Sequence, residues 1–155
     1  MEPGQAEIIG MIERREITQV TADADLADRL LATARQHVAS AQLLAGSDPY
    51  LAYAALHDAI RKALSALLQV QGLRATTSGG HLAVTQAVNA QFGATMGAIL
   101  RPVDRIRVRR HEAEYPGPTT YIDEDTVRDD VPKAEAVIEA VAKALPHLPV
   151  FTLEP

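Results

Sequence analysis

Five of the chain's fifteen Lys and Arg residues fall between Arg101 and Arg110, and the run continues as Arg110-His111-Glu112-Ala113-Glu114-Tyr115-Pro116. Arg101, Arg105, Arg107, Arg109 and Arg110 repel one another unless water or counter-charge surrounds them. Their spacing therefore points to an anion, such as a phosphate or a nucleic-acid backbone. A plainer reading is a solvated helix face balanced by the acids between Asp123 and Asp130. Other side chains with chemical potential are sparser. His57, Asp58 and Arg61 lie within one helical turn; Asp58 with Arg61 or Lys62 makes an ordinary surface ion pair, and the alternative is that the trio lines the same cleft as Arg110. Gly79-Gly80-His81 is too short for a phosphate loop and lacks its Lys-Ser/Thr, so it reads as a helix entry, with phosphate contact by His81 as the sharper alternative. His37 and His147 stand alone and are expected at the surface. Asp123, Asp125, Asp129 and Asp130 lack the glycine and terminal glutamate of a calcium loop and read as an acidic helix start. No metal site or cofactor is expected, and no Ser or Cys nucleophile sits in an elbow motif.

A chain of 155 residues, 47% hydrophobic and with a net charge of −5, is expected to fold as one domain over residues 1–155, with its core at about 22–145. That charge excludes a bulk nonspecific coat for DNA but leaves a local basic patch open, because binding follows the local field. No segment approaches the roughly 18 apolar residues of a membrane span. Met1-Glu2-Pro3-Gly4 lacks the features of a signal peptide, so a cytoplasmic location is expected. With no cysteine there are no disulfides and no thiolate metal ligands.

The elements that must position the arginines read as helical throughout, with no period-two strand. Ala22, Leu26, Leu30, Ala34, Val38, Ala41 and Ala45 recur at three and four residues, one face of a long helix with Asp23 and Asp25 at its start and Gly46 at its end. Ser47-Asp48-Pro49 turns the chain into a second helix over about 50–71, closed by Gly72. A loop follows over 73–80, then a shorter helix over about 81–92. Gly93, Gly97 and Pro102 predict a break or kink before a helix that reaches Glu114 and stops at Pro116-Gly117-Pro118. The last helix spans roughly 124–145, bent at Pro132, and a weak amphipathic segment lies at Ile8 to Arg15. The fold class is therefore all-α: an up-and-down bundle of four principal helices with one shorter additional helix.

Two segments together resemble a known family. The second helix reads Tyr53-Ala54-Ala55-Leu56-His57-Asp58-Ala59-Ile60-Arg61-Lys62-Ala63-Leu64, followed by Leu67-Leu68, three residues, Gly72, and later Gly80-His81. This resembles the second helix of HEPN domains (higher eukaryotes and prokaryotes nucleotide-binding), with their Leu-Leu-x3-Gly end and following Gly-His. The third main helix of that superfamily ends in Arg, a polar residue, three residues and His; here the sequence shows Arg110, His111, three residues and Tyr115. The resemblance covers about residues 22–145 and includes helix order and length.

The resemblance implies a homodimer in which Arg and His of two protomers share a cleft. In the ribonuclease members they promote attack of a ribose 2′-OH on the adjacent phosphate without metal. That chemistry needs a proton-transfer group with a pKa near neutrality and a cation on the phosphate. A phenol, ordinarily near pKa 10, serves the first need poorly. With Tyr115 at the His position, the resemblance implies binding of nucleotide or RNA phosphate by Arg110, His111 and Tyr115, supported by Arg105, Arg107 and Arg109, with weak or no cleavage. An alternative register pairs Arg105 with His111, which a continuous helix places about 120° apart. The Pro-Gly-Pro stop directly after Tyr115 favours the Arg110–Tyr115 register. The alternatives for function are an active metal-independent endoribonuclease toxin and a non-catalytic dimeric interaction module. The family also suggests a cognate antitoxin or a nucleotidyltransferase as partner, and leaves open whether Tyr115 is modified.

Overall fold

In the computed structural model, which describes residues 2–154 apart from the side chain of His81, the chain is an all-α bundle with a minimal sheet. The order is α1 (Gln5–Glu13), β1 (Ile17–Gln19), α2 (Ala24–Leu44), α3 (Pro49–Val70), β2 (Leu73–Ala75), α4 (Gly80–Glu114) and α5 (Glu124–Ala144), closed by a 3-10 turn at Leu145–His147. Local chemistry sets the boundaries. The Asp23 carboxylate caps α2 by accepting from the Leu26 amide at 2.9 Å, and Asp48 caps α3 through the Leu51 amide at 3.2 Å. Pro49 follows Asp48 at the first position of α3, where its missing N–H is no loss. Asp123 and Thr126 cap each other reciprocally at the start of α5. Gly72, at φ +76°, ends α3 in a conformation that a side chain would strain.

Twelve of the 22 residues of α3 are buried, which makes it the central helix; α2, α4 and α5 pack around it, and α1 lies on α4. The core is aliphatic, built from Leu56, Ile60, Leu64 and Leu67 of α3 against Val38, Ile106, Val127 and Val137. No described helix is long and apolar enough to cross a membrane. The tail after the 3-10 turn folds back over the other end of the chain. The Phe151 amide donates to the Gln71 carbonyl at 2.9 Å, and the Gln5 amide nitrogen donates to the Thr152 and Glu154 carbonyls at 3.1 and 3.0 Å.

Two local expectations are corrected. The break between 93 and 102 is absent: α4 runs unbroken for 35 residues with Pro102 inside it. Buried Ala87 and Val88 before the glycines, and Leu100, Val103 and Ile106 after them, dock on one side at helical spacing. That docking offsets the cost of two helical glycines, about 1 kcal/mol each. The carbonyl of exposed Ala98, which Pro102 leaves without its usual donor, can turn to water. There is also a strand pair. Ile17↔Ala75, Thr18↔Arg74 and Gln19↔Leu73 form an antiparallel clip between the α1 exit and the α3–α4 connection. Three residues are too few for a period-two pattern to declare itself, and buried Ile17 and Leu73 anchor the pair. The clip is tight: a Cβ at Gly79 would meet the Glu16 carbonyl oxygen at 2.2 Å.

Candidate functional site

The arginine run divides into two groups with different partners. Arg105 and Arg109 stand one turn apart on α4 and both turn toward Asp130 of α5. Arg105 donates to Asp130 Oδ1 at 2.8 Å and Oδ2 at 3.3 Å, and Arg109 donates to Oδ2 at 3.1 Å. The Lys133 ammonium reaches Oδ1 at 3.0 Å and the Tyr53 hydroxyl donates to Oδ2 at 2.7 Å. Five donors thus converge on one carboxylate that is 1% exposed, which saturates its acceptor capacity. The Arg109 guanidinium also lies 5.9 Å from the centre of the Tyr53 ring, a cation–π distance.

Electrostatics follow from this knot. Burial alone would raise the Asp130 carboxyl, but hydrogen bonds from Arg105, Tyr53 and Lys133 outweigh it and hold the group at about 2. Burial pushes the Tyr53 phenol up, and its bond to Asp130 acts in the same direction, so the hydroxyl stays a donor. The hydrogen bond to Asp130 raises Arg105. The knot joins α3, α4 and α5 through Tyr53, the two arginines and Asp130. It is a structural clasp, and it removes two of the five arginines from easy service to a ligand.

The second group lies at the C-terminal end of α4 and makes only pairs within the helix. Arg110 pairs with Glu114, and Arg107 pairs with Asp104 at 2.8 Å. Such exposed pairs contribute about 0.3–0.5 kcal/mol and yield readily to a phosphate. Arg101 is exposed two turns back. His111 is also exposed, and its ring lies 5.1 Å from that of Tyr115, tilted by 51°. The Tyr115 amide closes the helix by donating to the His111 carbonyl at 3.0 Å, and its side chain is 68% exposed. The His111 and Tyr115 rings therefore form an exposed pair at the helix end; Arg110, held by Glu114, lies in the same last turns, and Arg107 lies one turn back.

The remaining candidates lie elsewhere. His57 is buried within α3. Asp58 pairs with Arg61 at 3.3 Å and Lys62 at 3.9 Å, as a surface pairing predicts. Burial opposes its ionisation, but Arg61 and Lys62 more than compensate and lower its pKa. His37 is not an isolated surface histidine: its Nε2 sits 2.5 Å from the Lys62 Nζ, and burial followed by Lys62 lowers its pKa. Arg61 is two turns along α3 from Tyr53, about 12 Å. Asp58 thus holds Arg61 and Lys62 on α3 itself, while Arg110 pairs with Glu114 on α4. The side chain of His81 lies outside the described residues; its backbone starts α4, about 45 Å along the helix from His111. Gly80 adopts φ +60° there.

Asp130, Tyr53 and Lys133 were missed as site residues, and Asp130 is a correction to the acidic surface cluster read at 123–130. The signal was present: Val127, Val131 and Ala134 form the buried stripe of α5, and Asp130, three residues after Val127, falls on that stripe.

The HEPN domain family model matches residues 27–145. No curated protein and no solved structure matches the chain.

Proposed function

Since the chain belongs to the HEPN domain family, a superfamily of nucleotide-binding and ribonuclease-like domains, we propose that the C-terminal end of α4 binds RNA or nucleotide phosphate through Arg110, His111 and Tyr115. Arg107 and Arg101 add to its field, and cleavage is weak or absent. The observation that carries this reading is the partition of the arginines: Arg105 and Arg109 are tied to buried Asp130, whereas Arg110 holds only Glu114 on its own helix. The same partition speaks against the Arg105–His111 register, because Arg105 would have to leave Asp130 to reach a phosphate.

In this reading two protomers bring their α4 ends together, and the paired patch encloses the ligand. Support comes from the outer side of α4, where Gly93 and Gly97 have open space around them and Ala94 and Ala98 are exposed. A second helix can approach closely there. Tyr115 gives the patch a stacking surface and a hydroxyl that can hydrogen-bond a ligand. The toxin–antitoxin role, with an antitoxin or nucleotidyltransferase partner, belongs to the same proposal only if cleavage occurs.

The test is binding of a fluorescent single-stranded RNA followed by anisotropy across a salt series. Arg110→Ala should weaken binding more than Arg101→Ala and lower the salt slope by about one counterion. Equal losses from the two substitutions would mean a diffuse basic face, and no affinity in the wild type would favour an interaction module. Rapid RNA shortening in EDTA, lost in His111→Ala and unchanged in Tyr115→Phe, would install the ribonuclease reading in its place.

A further inference from the structure

A groove of about 560 Å³ opens at the other end of the molecule, between the start of α2, the second half of α3, β2 and the first turns of α4. Its volume falls within the roughly 300–1,000 Å³ range of small-molecule sites. The floor is aliphatic: Leu26 and Leu30 from α2, Leu68 from α3, Leu73 from β2 and Val84 from α4. Leu68, Leu73 and Val84 are core residues whose outer edges reach the groove. The rim is polar and cationic, with Arg61, Arg74, Thr76 and Thr77.

Charge sets this groove apart. It carries two arginines and no carboxylate among its lining residues, in a chain of net charge −5. Three other surface hollows each include at least one glutamate: Glu135 and Glu139 in one, Glu7 in the second, Glu2 and Glu154 in the third. Neither rim arginine is fully engaged. Arg61 gives two of its five N–H donors to Asp58, both at 3.3 Å, and Arg74 meets the Gln69 side-chain oxygen at 3.4 Å, the long edge of hydrogen bonding. Most of their guanidinium donors therefore remain available to an incoming anion. Among the described residues no aromatic side chain lines the groove, so none of them offers a nucleobase a stacking partner there.

We propose that this groove binds a small amphipathic anion, a carboxylate or phosphate ester on an aliphatic body, with the headgroup between Arg61 and Arg74 and the chain along Leu26, Leu30, Leu68 and Val84. The site is separate from the Arg110 patch, since α4 spaces its two ends about 45 Å apart, and it stands whether or not RNA binds there. Charge-assisted hydrogen bonds to two arginines fix the headgroup, while the leucines supply affinity in proportion to the apolar surface covered.

The experiment is a titration of ¹⁵N-labelled full-length protein with decanoate, decyl phosphate, decanol and AMP, each below its aggregation threshold. Either decyl anion should move the amides of Thr76, Thr77 and Gly80 in a saturable way and leave those of Arg110 to Tyr115 in place. Decanol should bind at least about tenfold more weakly, the factor expected for loss of a charged hydrogen bond. Arg61→Gln and Arg74→Gln should each weaken decanoate by about tenfold. Their folding is checked by the remaining amide spectrum, and the decanoate–decanol comparison on wild type needs no variant at all. Four results would overturn the proposal: no groove amide moving at millimolar decyl anion, decanol binding as tightly as decanoate, both Gln variants retaining full affinity, or AMP displacing decanoate with equal strength.

Discussion

Replacing Asp130 with asparagine keeps the side chain's size and deletes the charge on which Arg105, Arg109, Lys133 and Tyr53 converge. The carboxyl is held at about 2, against roughly 3.9 in an unfolded chain. Linkage at about 1.4 kcal/mol per pKa unit then gives some 2.6 kcal/mol of stability at pH 7. The partners' side chains are 42%, 37% and 43% exposed, so water shares their charge and about 2 kcal/mol is the expected loss. The sign follows from a depressed acid. Its contribution is complete above the unfolded value and disappears as pH falls through about 2. The gap between wild type and Asp130→Asn should therefore narrow to roughly half at pH 3 and to under about 0.5 kcal/mol at pH 2. Urea unfolding followed by far-ultraviolet circular dichroism at pH 7, 4, 3 and 2 measures it. A gap below about 0.5 kcal/mol at pH 7, or one of equal size at pH 7 and pH 3, would refute the clasp as described.

Further outcomes follow from the same geometry. Tyr115→His should raise RNA cleavage above the wild-type level, since general acid–base assistance is worth about 10²- to 10⁴-fold; unchanged RNA over hours in EDTA would count against the Arg110–Tyr115 register. Gly79→Ala should destabilise the protein by more than about 2 kcal/mol, because its Cβ would collide with the Glu16 carbonyl, and a urea midpoint equal to wild type would contradict that close approach. Light scattering at tens of micromolar should report a dimer, and exchanging Gly97 for a bulky leucine should shift it toward monomer while circular dichroism stays helical. Ile106→Ala, at a fully buried position, should cost about 2–5 kcal/mol in the same unfolding assay.

The α2–α3 hairpin was legible because its signals are local: Asp23, Asp48, Pro49 and Gly72 each act through backbone atoms within a few residues, and the apolar stripes between them keep a clean 3.6 period. Helix α4 was misread because Gly93, Gly97 and Pro102 are judged locally as breakers, whereas their helix is held by burial of residues on both sides of them. The arginine cluster was visible as charge, but its division was not. Which cations are neutralised depends on Asp130, 20 or more residues further along the chain, and periodicity on α5 alone hinted only at its inward face. That Arg61 and Arg74 line one groove likewise depends on how β2 returns beside α3, a tertiary fact that spacing does not carry.

The returning tail has a consequence for the order in which the fold assembles. The hydrogen bonds of Gln5 to Thr152 and Glu154 span 147 and 149 residues, against a three- or four-residue reach for most of the helical bonds around them. Closing so long a loop comes after the α2–α3 hairpin and its partners have formed, and during synthesis it waits until Thr152 and Glu154 have emerged. The clasp of tail on α1 is then the last contact made and the first released. In a native-state hydrogen-exchange experiment, the Phe151 amide, bonded to Gln71, should exchange through local opening at low free energy, while the amides of Ile60 and Leu64 wait for global unfolding.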